Sequence, residues 1–109
     1  MVRILVENGA DVNKNGENGN TPLIYACKKK NENIVAYLIE RSADVNKKNK
    51  YGDTPLLCSC LYGNEKIVKI LVEYGANVNI ENKYGKTPLF NAYYKKFENI
   101  VDILIENGA

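Results

Sequence analysis

Reactive side chains are few in this sequence, and their spacing argues against catalysis. The 109 residues contain three cysteines and no histidine, so cysteine and serine nucleophiles lack an imidazole base, and zinc sites that use histidine are excluded. Cys27, Cys58 and Cys60 form a Cys-x30-Cys-x-Cys pattern, which matches neither a zinc knuckle nor a redox Cys-x-x-Cys pair. No glycine-rich phosphate loop follows a predicted strand. We therefore predict no enzymatic activity, no metal site and no cofactor.

The odd number of cysteines indicates reduced thiols, which are more often small buried side chains than reactive groups. No apolar run approaches the ~20 residues that cross a bilayer, and Met1 to Glu7 lack the long apolar core of a signal peptide. The chain also lacks an Asn-x-Ser/Thr acceptor. We expect an intracellular protein, cytoplasmic in the first place and nuclear as the alternative.

The residues are arranged in a repeated block. Thr-Pro-Leu begins at Thr21, Thr54 and Thr87, which are 33 positions apart each time. A small residue followed by alanine recurs with the same period, at Gly9, Ser42, Gly75 and Gly108. Two anchors that keep one period without an insertion indicate an array of stacked units, each too small to bury its apolar face alone.

Each block predicts two helices. A threonine N-cap and a proline at the first helical position begin the first helix, and apolar residues at helical spacing form the second. We predict a pair that begins at Pro22 and continues through Ile39 with a break near Lys30, a pair at about 55–62 and 65–74, and a pair at about 88–95 and 98–107. A second helix without its first is predicted from Met1 to Asn8.

The block from Tyr51 to Lys83 shows which family this sequence resembles. It contains Gly52-x-Thr54-Pro55-Leu56, then Gly63-Asn64-x-x-Ile67-Val68-x-Ile70-Leu71-Val72, then Gly75-Ala76-Asn77-Val78-Asn79. This pattern resembles an ankyrin repeat, and the match covers the whole chain. The resemblance implies an all-α solenoid of helix-turn-helix pairs joined by hairpin loops. We assign 1–20 to a partial repeat, 21–53 and 54–86 to full repeats, and 87–109 to a repeat without its following hairpin.

Departures from the family pattern predict a domain less stable than a consensus array, with its best-formed unit in the middle. The family's histidine after Thr-Pro-Leu is replaced by Ile24, Leu57 and Phe90. Lys30, Lys96 and Ser42 stand where the family has glycine, and a left-handed backbone at such a residue costs about 1 kcal/mol.

In the resembled family, partners bind a concave side formed by hairpin tips and first helices. Carried over by position, the predicted binding residues are Lys28, Lys29, Lys48, Lys50, Tyr51, Asp53, Leu61, Tyr62, Lys83, Tyr84, Lys86, Tyr94 and Lys95. Second-helix segments carry four basic and eight acidic residues, whereas the rest of the chain carries eleven and five. We therefore predict a basic, tyrosine-bearing surface that binds an acidic or amphipathic segment of another protein.

Several alternatives remain open. The alternative to a binding role for the exposed lysines is that they are ordinary solvated side chains. For the turn tyrosines, the alternative is that they pack over the next hairpin. We assign Tyr25, Tyr37 and Tyr93 to packing. Nucleic acid is disfavoured by a pI of 8.4, but a structural spacer in a longer array and a substrate-recruiting domain of a multidomain protein are both consistent with the pattern.

Two further expectations follow from the resemblance. Asn13 and Asn46 follow leucines at a spacing that resembles the targets of an asparaginyl hydroxylase, so both are candidates for modification. The alternative is that their side chains order the hairpins through hydrogen bonds to the backbone. Both ends of the chain interrupt a repeat without a polar capping unit. This predicts a fragment of a longer array, and it also predicts end-to-end self-association through uncapped repeats.

Overall fold

The computed structural model describes residues 13–109, and within them it contains six helices and no strand. The predicted helix from Met1 to Asn8 lies outside the described residues. A short 3-10 turn spans Glu17–Gly19. The helices are α1 (Pro22–Lys28), α2 (Glu32–Glu40), α3 (Pro55–Tyr62), α4 (Glu65–Glu73), α5 (Pro88–Tyr94) and α6 (Glu98–Glu106). The predicted all-α class and the three helix pairs are confirmed.

The first helix of each pair begins at a threonine cap, as the sequence predicts. The Oγ1 atoms of Thr21, Thr54 and Thr87 accept hydrogen bonds from the backbone N–H three residues later, at 3.2, 3.2 and 3.1 Å. Proline follows each threonine, at a position where a helix needs no N–H donor. Each repeat therefore fixes the start of its first helix locally.

The second helices begin in two different ways. Asn31 and Asn64 cap α2 and α4 by accepting from the backbone N–H of the residue three positions on. Phe97 occupies the equivalent place before α6 and makes no side-chain cap. Its ring packs over Gly63, where an added Cβ would lie 2.5 Å from the ring. Glycine is therefore required at position 63 for two reasons: its φ is 88°, which is left-handed, and the Phe97 ring of the next repeat occupies the space of a Cβ.

Three non-glycine residues adopt the left-handed backbone that the sequence predicts. Lys30, Ser42 and Lys96 have φ values of 57°, 70° and 64°. The stacked fold imposes this conformation, because each residue connects two helices or ends one.

The helix pairs stack into two layers. One layer contains α1, α3 and α5, and the other contains α2, α4 and α6. The core lies between the layers and between successive pairs, and it is densest around α3, where every residue from Pro55 to Cys60 is buried. The resulting shape is elongated, with extents of 39 × 25 × 20 Å. Across residues 13–109, no helix is long and apolar enough to cross a membrane.

Candidate interaction surface

The predicted binding residues lie on the hairpins and on the first helices, and none of them is buried. We call the surface formed by residues 14–20, 47–53 and 80–86 together with the solvent side of α1, α3 and α5 the first-helix surface. Lys28, Tyr51, Asp53 and Lys86 are half-buried there, and the other nine predicted residues are exposed. The structure thus leaves all thirteen available for contact, and their role in binding stays a prediction.

Asparagine side chains hold each hairpin in shape and connect it to the one before. Asn49 Oδ1 accepts from the backbone N–H groups of Tyr51 and Asp53 at 2.9 and 3.0 Å, and its Nδ2 donates to Asn20 Oδ1 at 2.9 Å. Asn82 repeats this arrangement and donates to Asp53 Oδ1 at 2.9 Å. Asp53 is therefore a link between hairpins as well as a surface residue.

Sequence reasoning missed these two asparagines. Their signal was present, because Asn49 and Asn82 are 33 positions apart and asparagine is a common turn residue that bonds to the backbone nearby. The first hairpin has Gly16 at the equivalent position. The asparagines of the second and third hairpins therefore provide the links, and each donates a hydrogen bond to the hairpin before it.

The hairpin backbones also contact one another directly. The N–H of Lys50 donates to the carbonyl of Asn18 at 2.9 Å, and the N–H of Lys83 donates to the carbonyl of Tyr51 at 3.0 Å. An added Cβ on Gly52 would lie 3.0 Å from the Lys83 nitrogen. These contacts set the spacing between neighbouring tips and hence the positions of the tyrosines at 51 and 84.

The asparagines of the hydroxylation hypothesis form a second series of links. Asn46 Oδ1 accepts from the Asn77 N–H at 2.8 Å, and Asn46 Nδ2 donates to the Gly75 carbonyl at 3.1 Å. Asn13 Oδ1 accepts from the Asp44 N–H at 2.7 Å. The geometry supports the structural alternative, because these side chains join successive repeats. Modification of Asn13 or Asn46 stays a prediction.

Aromatic rings and lysines alternate along the first-helix surface. Lys50 Nζ lies 5.8 Å from the centre of the Tyr51 ring, and Lys86 Nζ lies 4.2 Å from that of Phe90. Phe90 and Tyr94 stack with centroids 5.9 Å apart and planes inclined by 8°. Such cation–π contacts keep the lysine amines beside the rings. Sequence reasoning missed Phe90, which it treated only as a replacement for histidine.

The assignment of Tyr25 and Tyr93 to packing was wrong, since 51% of Tyr25 and 70% of Tyr93 is exposed. Both stand at positions that are buried in other repeats. The equivalents of Tyr25 are Cys58 and Asn91, which face the preceding first helix, and Asn91 Nδ2 donates to the carbonyl of Leu57 there. No first helix precedes α1 within the described residues, so nothing in them covers the Tyr25 ring from that side.

Tyr37 is half-buried, with the Arg41 guanidinium 5.4 Å from its ring centre. This agrees with the predicted packing role.

A cleft of about 670 Å³ opens on the first-helix surface beside the first hairpin. Tyr25, Lys28, Lys29 and Tyr62 line it together with Lys14 and other residues of the first hairpin. Lys29 Nζ lies 5.4 Å from the centre of the Tyr25 ring. The cleft combines two aromatic rings with three lysines and one carboxylate, that of Glu17.

Electric charge differs between the two helix layers. Helices α1, α3 and α5 contain no acidic residue, and α6 contains Glu98, Asp102 and Glu106 with no basic one. On α4, Lys69 pairs with Glu65 at 3.5 Å, an exposed pair of little energetic weight. The layer that carries the first-helix surface is therefore the less acidic one.

The cysteines have the properties of structural thiols, as predicted. All three are free and buried. Burial raises the pKa of Cys58 to about 12, with a smaller contribution from nearby Asp53. It also raises the pKa of Cys60 to about 12 and that of Cys27 well above its usual range. Protonated, water-excluded thiols are poor nucleophiles. No cluster of three potential metal ligands occurs within residues 13–109.

Comparison with protein families identifies the repeats. A family model described as ankyrin repeats, in three copies, matches residues 1–49 and 41–109. A search of curated proteins found no match.

Proposed function

The chain belongs to the ankyrin-repeat family, and from this premise we propose that it is a non-catalytic module that binds another protein through the first-helix surface. Ankyrin repeats are generally protein–protein interaction modules and are generally not catalytic. One observation supports this surface above the others: its hairpin tips and first helices expose Tyr62, Tyr84 and Tyr94 by 40%, 67% and 71%. Tyrosine is enriched among residues that dominate binding energy.

The proposed partner is an acidic or amphipathic protein segment. Lys29, Lys50, Lys83 and Lys95 are exposed around these rings, and the first helices offer no acidic side chain to oppose them. A field of this sign accelerates encounter with negatively charged partners and disfavours positively charged ones. Binding should therefore weaken when salt is raised, because exposed charges are screened over about 8 Å at physiological ionic strength.

The binding proposal is tested by removing the rings. Replacing Tyr51, Tyr62, Tyr84 and Tyr94 together by alanine should reduce capture of the partner at least about tenfold in quantitative affinity purification from cells that express the protein. The helical circular dichroism should be unchanged, because these side chains lie outside the core.

The matched control is Tyr74→Ala. Tyr74 is 61% exposed and follows α4, which lies in the layer of second helices. Its substitution therefore removes an exposed tyrosine ring from a surface that the proposal does not use. Equal capture by the quadruple variant and the control would exclude the first-helix surface.

The rival roles make different predictions. Nucleic acid binding by the same lysines would fall steeply with salt and show little sequence preference. A spacer would capture no partner, and the exposed tyrosines favour binding over this role. Recruitment of substrates for a larger protein would use the same surface. We further propose an intracellular location, and self-association through the stacking surfaces of the repeats, which would leave the first-helix surface free.

A further inference from the structure

Three equivalent positions at the ends of the first helices form a row across the first-helix surface. Lys29 follows the end of α1, Tyr62 is the last residue of α3, and Lys95 follows the end of α5. They are 33 positions apart each time, and we call these three residues the central row. Because α3 has a helix pair on either side of it, the centre of the row lies within the stack, whatever precedes α1 or follows α6.

The middle of the central row is apolar and open to solvent. Tyr62 and its neighbour Leu61 are 40% and 36% exposed, although every residue of α3 from Pro55 to Cys60 is buried. Stacking of the repeats therefore covers the rest of this helix and leaves these two side chains on the surface. A tyrosine ring offers a flat apolar face at a low cost in conformational entropy. The middle of the row thus suits an apolar side chain of a partner.

The two outer positions of the central row are basic. Lys29 and Lys95 are exposed, and no carboxylate of residues 13–109 forms an ion pair with either of them. Glu17 lines the adjacent cleft, but Lys14 and Lys28 line it as well, so positive charge exceeds negative charge there. Helices α1, α3 and α5 contain no acidic residue. Each end of the row therefore suits a carboxylate of the partner.

The spacing of the row restricts the conformation of a segment that lies along it. Packed helices lie about 8–10 Å apart, so the partner must present one side chain towards the row at each such interval. A polyproline II helix does so, because it has three residues per turn and rises about 3.1 Å per residue. In a β-strand, the residue about 10 Å further along faces the opposite side. An α-helix matches only with about every seventh residue, and a short isolated one is marginally stable in water.

We propose that the central row binds a polyproline II segment of the partner in which an acidic, an apolar and a second acidic residue stand at every third position. The two carboxylates face Lys29 and Lys95, and the apolar side chain packs on Tyr62. The residues between them point away from the row, so proline is accepted there. Proline-rich segments are preformed in this conformation, which lowers the entropic cost of binding.

Two synthetic peptides of identical composition test the spacing. The first has glutamate, leucine and glutamate at every third position with proline elsewhere, and the second has its leucine moved by one position, which turns that side chain by about 120° around the polyproline II axis. NMR titration of the protein should show at least about tenfold tighter binding of the first peptide, because only its leucine reaches Tyr62. Backbone amides at the three positions of the row should shift.

Variants of the protein test the assigned contacts. Tyr62→Ala should weaken binding of the first peptide at least about tenfold, and Tyr74→Ala, which removes a ring from the layer of second helices, should leave it unchanged. Lys95→Glu should weaken binding about threefold, and a peptide with one glutamate replaced by lysine should bind this variant more tightly than it binds the unchanged protein. Lys95 is the better position for charge reversal, because Lys29 Nζ also lies 5.4 Å from the centre of the Tyr25 ring.

This inference rests on the proposed function and deepens it, and the two can fail separately. Equal affinity of the two peptides, no binding of either up to millimolar concentration, or tighter binding of a helical peptide with the same three residues at about every seventh position would overturn the inference. The first-helix surface would still stand if the quadruple tyrosine variant lost its cellular partner. Undiminished capture by that variant would overturn the proposed surface and this inference together.

Discussion

Individual residues in this protein accept unfavourable local conformations where the repeat requires them. Lys30 lies in the turn between α1 and α2 and has a φ of 57°. This left-handed conformation is disfavoured for any residue that has a Cβ. The side chain of Lys30 is exposed, so no burial of this side chain offsets the free-energy cost of the left-handed backbone. The local cost is tolerated because the turn must bring α2 back along α1, and the stacking of the two helices outweighs it.

Replacing this lysine by glycine should stabilise the protein. Lys30→Gly removes the left-handed penalty of about 1 kcal/mol, and the greater freedom of the unfolded chain offsets part of the gain. We expect a net increase of about 0.5 kcal/mol in the free energy of unfolding, measured by urea denaturation. Lys29→Gly is the matched control, because Lys29 has φ at −84°. Glycine at position 29 should destabilise, and equal effects of the two changes would contradict the explanation.

At the scale of elements, the hairpins are positioned by their neighbours. Gly52 and Gly85 have nearly equal φ values of 78° and 75°. A Cβ at Gly52 would meet the backbone of the next hairpin at 3.0 Å, whereas one at Gly85 would approach only the Glu81 carboxylate, at 4.0 Å. The two turns have the same backbone conformation, but only at Gly52 does the neighbouring hairpin leave no space for a Cβ.

This difference predicts unequal effects of one substitution. Alanine at either position incurs the left-handed penalty of about 1 kcal/mol, and Gly52→Ala incurs a further 1–3 kcal/mol, roughly, from backbone crowding. The measurement is the difference between the two free energies of unfolding in urea, for which Gly85→Ala serves as the internal control. Equal losses would show that the hairpin tips do not hold each other in place.

At the scale of the whole molecule, the stack makes the middle pair the most protected one. Both sides of α3 and α4 are covered, by α1 and α2 and by α5 and α6, and α3 is buried from Pro55 to Cys60. On α5, by contrast, only Pro88, Asn91 and Ala92 are buried. In repeat proteins, stability is the sum of unit and interface contributions, so a pair with one covered side opens more easily.

Native-state hydrogen exchange should show this gradient. Backbone amides of α3 should exchange at least about tenfold more slowly than those of α5, which corresponds to about 1.4 kcal/mol. The experiment requires a concentration at which the chain is monomeric, since self-association through the stacking surfaces of the repeats would protect α5. Uniform exchange across both helices would indicate that the array opens only as one unit.

The local features could be predicted from the sequence. The 33-residue period is visible in the sequence itself, and the threonine caps depend on interactions within three residues. The left-handed backbone at Lys30 and Lys96 was predictable because both stand where the resembled family has glycine. Burial of Cys27 and Cys60 was also predictable, because the repeat places both on stacking surfaces. These features determined the fold class and the helix boundaries.

Only the tertiary structure decided which side chains face solvent and which join the repeats. Tyr25 and Tyr93 occupy positions that the period marks as packed, yet they are exposed, because exposure depends on whether another helix pair covers the position. The bond from Asn82 to Asp53 and the ring of Phe97 over Gly63 connect residues about one repeat apart. Such contacts depend on how the units are stacked in space, which no single block of the sequence specifies.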